Sequence, residues 1–148
     1  MRRASGAAER VGATMAVTLR VPGYREFAFL ATSVRVPTTE GESLLEPGGP
    51  DLRADLDVGV LTICSGSRGW PAAVHGGRVE ATDDAVRVYA DAIEFADRID
   101  VSRARQAQAD AAEKLRHDRD DTAAYDALRR ANVRMAVAAL AHPGPGAR

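Results

Sequence analysis

From Met15 to about Asp91 the apolar positions recur with a period of two. The run "VTLRV" puts Val17, Leu19 and Val21 on one face, and "FAFLA" puts Phe27, Phe29 and Ala31 on one face. "VGVLTI" and "VRVYA" add β-branched runs, and Pro22-Gly23, Glu40-Gly41-Glu42, "EPGGP", "GSRG", Gly76-Gly77 and Asp83-Asp84 punctuate them. Short strands broken by turns at intervals of about 8–12 residues predict an antiparallel sandwich or barrel. After about Asp100 the period becomes helical. Val101, Ala104, Ala107 or Gln108, Ala111 and Leu115 form one stripe, with Asp100 as its N-cap. The polar stretch "RHDRDDT" predicts a turn and a new cap at Asp121 or Thr122. Ala124, Leu128, Ala131, Met135 and Ala138 then form a second stripe that ends at His142-Pro143-Gly144.

The fold class read from this pattern is α+β: an N-terminal antiparallel β-sandwich or barrel followed by a C-terminal two-helix antiparallel hairpin. Its expected divisions are a disordered extension over residues 1–14, a sandwich over 15–96, a hairpin over 97–142 and a flexible tail over 143–148. The extension lacks periodicity and apolar content, so the fold is expected not to need it, and translation from Met15 would lose nothing. Because alanine dominates the hairpin seam, each contact buries little area. The hairpin is therefore expected to hold itself together and to attach weakly to the sandwich, whose large apolar residues, Phe27, Phe29 and Trp70 among them, are expected to supply a core and an interface.

Composition narrows the chemistry. The 148 residues carry a formal charge of −1, balanced along both halves, so no basic field exists for nucleic acid. Cys64 is the single cysteine, which excludes an internal disulfide and a cysteine zinc site, and its apolar neighbours predict an inert buried thiol. No apolar run reaches the ~18 residues of a membrane span, and the arginines near the start precede no apolar signal segment, so a soluble, cytoplasmic chain is expected. Lys114 is the single lysine and follows no glycine loop, which excludes a Gly-Lys-Ser/Thr phosphate cradle. "CSGSRG" misses the nucleophile-elbow spacing, and His75, His117 and His142 make no His-x-x-x-His pair. His75, ahead of two glycines, reads as a satisfied or turn-exposed histidine. No catalytic residue and no metal site is expected. Arg130 and Arg134, one helical turn apart, and Arg103 near the start of the first helix remain. In an antiparallel hairpin they converge into an anion-shaped group, or they belong to a solvated, salt-bridged face in which Asp126 offsets Arg130.

Four segments carry a family resemblance. "PTTEGESLLEPGGPDLRADLDVGVLTI", "AAVHGGRVEATDDAVRVYAD", "IDVSRA" (Ile99 to Ala104) and "LRRANVRMAVA" resemble, in order and spacing, the epsilon subunit of F-type (proton-translocating) ATP synthase, from about Val17 to Ala141. The resemblance implies a non-catalytic central-stalk subunit on the cytoplasmic face of the cell membrane, peripheral and without insertion. Its sandwich would dock on the gamma subunit and the c-ring, helping to couple proton flow to ATP synthesis. Its hairpin, when extended, would reach the alpha/beta catalytic head and restrain hydrolysis. No resident cofactor is implied. Some members hold regulatory ATP, and their nucleotide contacts fall on Glu94, Asp100, Arg103, Arg130 and Arg134. A further arginine of those members corresponds to Asp110, whose carboxylate repels phosphate, so ATP binding is expected to be weak or absent. Ser43, Gly49 and Pro50 also depart from the family pattern, and the last two alter the turn that faces the ring. From the residues alone, a stand-alone sandwich module with a helical appendage is the alternative.

Overall fold

The computed structural model describes residues 13–141, so the expected tail and nearly all of the expected extension lie outside the described residues. Eight strands come first: β1 (Met15–Arg20), β2 (Phe27–Ala31), β3 (Ser33–Thr38), β4 (Gly41–Leu45), β5 (Leu52–Ser65), β6 (Arg68–Thr82), β7 (Ala85–Ala90) and β8 (Ile93–Phe95). A single 3-10 turn at Ala96–Arg98 leads into α1 (Val101–His117) and α2 (Thr122–Ala141). The strand order is β2-β1-β7-β6-β5-β3-β4, with β8 paired to β6. Buried residues from every strand but β8 form one cluster, among them Val17, Val34, Leu61, Val79 and Val88. The sheet must therefore wrap over itself to enclose them, which makes it a sandwich.

Two features go beyond the expected short antiparallel strands. β1 pairs with β7 in parallel, Val17 opposite Val86. β5 and β6 are 14 and 15 residues long and pair along most of their length, from Leu52↔Ala81 to Ser65↔Arg68. β6 changes its second neighbour along the way. Ala72, Ala73 and Val74 pair with β8, whereas Gly77–Thr82 pairs with β7. The change falls at Gly76 and Gly77, with φ of 90° and 125°. Only glycine adopts such angles without strain, and the break bends β6 between the two layers.

The alternation continues in β6. Val74 points into the sandwich core, while Ala73 belongs to a second, smaller cluster with Ile99, Val137 and Ala138. α2 lies on that outer face, and Val60, Ala96 and Val133 pack at its edge. The helices start as expected: Asp100 Oδ1 accepts from the Arg103 backbone N–H at 3.1 Å, and Asp121 Oδ1 accepts from the Ala124 N–H at 2.9 Å. Alanines of the predicted seam are buried between the helices (Ala104, Ala111, Ala124, Ala131), and Gln108 donates to Asn132 at 2.8 Å.

Several large apolar residues are not where the periodicity put them. Phe27 is 51% exposed and Val101 36%; Trp70, expected among the residues of a core and an interface, is 40% exposed, so the core is made of aliphatic side chains. Cys64 is half-buried beside Gly69 and Thr62, not sealed in the core. It lies near the β5–β6 turn, where the strand leaves the interior.

Candidate functional site

The charged side chains that lie between the sandwich and α2 form two ties, the first made possible by the bend in β6. His75, two residues after Ala73, shares the outer face that α2 covers, and its side chain is 6% exposed. β8, held against β6 through Ala73↔Glu94, brings the Glu94 carboxylate alongside. From α2, Arg134 Nε donates to Glu94 Oε1 at 2.6 Å, and His75 Nε2 meets the same oxygen at 3.0 Å. One carboxylate oxygen thus ties together a strand, a second strand and a helix.

Burial works against ionisation of Glu94, but hydrogen bonds from Arg134 and His75 outweigh it and hold the carboxyl below its ordinary range. His75 moves down too. Burial is the main cause and the Arg134 and Arg130 charges add to it, against the opposing pull of Glu94. Neutral His75 donates from Nε2 to the carboxylate, which leaves Nδ1 as an acceptor. That atom is buried without a hydrogen-bond partner. A second tie sits beside the first. Arg129 donates to Asp57 Oδ1 at 3.0 Å, and this bond, with the Val58 N–H, lowers the Asp57 carboxyl.

Of the five residues singled out for a nucleotide, the structure joins Glu94 and Arg134 directly. Arg130 is near enough to act on His75 electrostatically. Asp100 and Arg103 stand exposed at the start of α1. Among the described residues no hydrogen bond or ion pair joins their side chains to Arg130 or Arg134, and none joins Asp126 to Arg130. Asp110 accepts from Gln106 at 2.9 Å, on the face of α1 that Arg103 shares at i+3 and i+7 spacing. Three participants escaped sequence reasoning: His75, Asp57 and Arg129. The available signal was period two in β6, which places His75 on the same face as Ala73.

Two open features lie elsewhere. A cleft of about 740 Å³ is lined by Arg20, Tyr24, Asp55, Arg78, Tyr89 and Asp91 and by none of those five residues. Its arginines are engaged, Arg20 with Glu26 at 2.7 Å and Arg78 over the Tyr89 ring at 4.1 Å. An apolar groove of about 310 Å³ runs between Phe29, Leu30, Ile63, Trp70 and Phe95, with Leu30 64% exposed. No group of three or more potential ligands among the described residues could hold a metal, and no helix there is long and apolar enough to cross a membrane.

Comparison with known proteins matches residues 14–96 to the family described as ATP synthase, Delta/Epsilon chain, beta-sandwich domain. The chain is 39% identical over 116 residues to an ATP synthase epsilon chain from Symbiobacterium thermophilum, covering 76% of this chain and 84% of that one. It is 34% identical over 131 residues to the epsilon chain of Synechococcus elongatus, covering 84% and 96%. Among solved structures, a chain of the Euglena gracilis mitochondrial ATP synthase (OSCP/F1/c-ring, rotational state 1) aligns with a TM-score of 0.74 at 20% identity, over 88% of this chain and 83% of that one.

Proposed function

Since the chain belongs to the ATP synthase epsilon-chain family, we propose that it is a non-catalytic rotor subunit of the central stalk whose sandwich docks and whose hairpin regulates. The observation that carries this reading is the separation of two cores. The sandwich cluster closes without any residue beyond Phe95, while the hairpin meets it through a small patch centred on Ala73, Ile99, Val137 and Ala138. The side chains of its two ion pairs are 30–41% exposed, and pairs of that kind contribute about 0–1 kcal/mol each. A hairpin held this lightly sits in the range where local opening is populated. The stand-alone module reading has no observation of its own in its favour.

In this reading the gamma subunit and the c-ring take the sandwich, on the cytoplasmic side of the membrane, and the catalytic head meets the hairpin once it extends. The groove between Leu30 and Trp70 is the sandwich's exposed apolar face and the part best suited to a permanent partner. Co-purification with gamma tests the function. The full chain should come down with gamma, and Leu30→Asp with Trp70→Asp should abolish this while thermal melting stays within a few degrees. Normal capture of the double variant would place docking elsewhere, and no capture of the parent chain would remove the rotor reading.

Nucleotide binding by the isolated chain should be weak or absent. Glu94 and Arg134 neutralise each other, and Asp110 opposes phosphate on the face that holds Arg103. Calorimetric titration should detect no micromolar ATP binding, and Asp110→Arg should strengthen whatever binding exists. Micromolar affinity lost on Arg130→Ala would overturn this.

A further inference from the structure

We propose that His75 is a proton-sensitive latch: protonation of its buried ring releases α2 from the sandwich, so the hairpin opens as pH falls through the histidine range. This rests on the reading of the hairpin as detachable, and adds what moves it.

The geometry leaves a second proton no place. Nε2 is committed to Glu94 Oε1 at 3.0 Å, so an added proton must go to Nδ1, which is buried and has no acceptor to meet. An unpaired buried donor carrying charge is far costlier than the neutral acceptor it replaces. The groups facing the ring do not compensate. β8 contributes Glu94, and α2 contributes Arg134 and Arg130, so α2 presents two positive charges and no negative one. β5 contributes Asp57, but Arg129 of α2 already engages it at 3.0 Å. Glu94 in turn gives one oxygen to both His75 and Arg134. Lifting α2 removes both arginine charges and uncovers the imidazole, so Nδ1 can reach water. The imidazolium is therefore better accommodated in the open form than in the closed one.

The direction follows from linkage. The closed form lowers the affinity of His75 for a proton and the open form restores it to about 6.5. Closure is then fully favoured above that value and weakens as pH falls below it, by at most about tenfold per pH unit for one proton. Glu94 and Asp57 act in the same direction, but their carboxyls lose charge only near or below about 4.5, so the window from 8 to 5.5 belongs to histidine.

The test uses the full chain in a Cys64→Ser background with spin labels at Ser67→Cys on the β5–β6 turn and Ala109→Cys on α1. Distance distributions read the closed and open populations at pH 8 and pH 5.5. The open-to-closed ratio should rise severalfold at pH 5.5. His75→Phe and His75→Gln, which carry no titrating ring, should make the ratio independent of pH over this window. His117→Gln with His142→Gln should leave the dependence intact. A ratio that still changes with pH in both His75 variants overturns the latch. Arg129→Ala with Arg134→Ala at pH 8 separates the failures. If that variant opens and the parent chain ignores pH, the latch alone is wrong. If neither opens under any condition, the detachable hairpin is wrong as well.

Discussion

Replacing Gly77 with alanine is expected to cost more stability than any other single-methyl change in the chain. A Cβ at that position would stand 2.0 Å from the Tyr89 carbonyl oxygen and 2.9 Å from the Ala90 Cα, both backbone atoms of β7. Its φ of 125° is also outside what an L side chain accepts. Strain of this kind costs about 1–3 kcal/mol. Overpacking against a neighbour that cannot move costs typically about 1–3 kcal/mol more. Together these approach the whole stability of a small domain. The β6–β7 ladder from Gly77↔Ala90 to Thr82↔Ala85 would have to separate at its first pair, and β1 hangs on β7 beyond it. Chemical denaturation should show a fall of several kcal/mol or no folded protein. By contrast, Gly66→Ala, with nothing within 4 Å and a left-handed φ of 64°, should lose only the backbone term. A Gly77 variant as stable as the parent would mean that β6 does not bend as described.

The same bend explains what could be read in the sequence and what could not. Alternation at Val17 and Leu19 correctly gave a buried face, because one side of β1 meets the core and the other does not. It failed at Phe27, which lies on the same side of β2 as buried Ala31, because β2 is the edge strand of the sheet and only its far end reaches the core. Period gives the face of a strand but not how far a neighbour extends over it. For the helices, alanine spacing found the seam between α1 and α2. It did not find Val133 and Val137, which form a second stripe directed at the sheet. A helix packed on two sides carries two overlapping patterns, and the alanine one is denser. Arg134 was legible as part of a charged face, but its partner Glu94 lies 40 residues away on a three-residue strand, and only the β6–β8 pairing brings them together. His75 was read as ordinary because two glycines follow it. Those glycines are what turn β6 so that α2 can cover the ring.

The largest functional effect is expected from removing the hairpin. Truncation after Ala96 leaves every residue of the sandwich core in place and uncovers only the outer patch around Val60, Ala73 and His75. The shortened chain should therefore melt as a single folded unit and still assemble with gamma. ATP hydrolysis by the assembled complex should rise, while proton-coupled synthesis is retained. A coupling of about 1–3 kcal/mol between hairpin position and the catalytic head corresponds to about 5–150-fold, which bounds the rise. Substitutions divide the effect, because Arg134 has two opposed roles. Held against Glu94 it ties the hairpin to the sandwich, and in the proposed reading it adds, once free and with Arg130, to a positive face for the head. Glu94→Gln weakens only the first role. It should open the hairpin and lower hydrolysis. Arg130→Ala with Arg134→Ala weakens both, and hydrolysis should rise part of the way toward the truncated level, since an open hairpin without its charges has less to bind with. Opposite signs from the two sides of one ion pair would be hard to produce by destabilisation, which would move both the same way. If truncated complexes assemble normally and hydrolyse ATP no faster, the hairpin is a structural strut, and the Glu94 and arginine variants should then leave the rate unchanged.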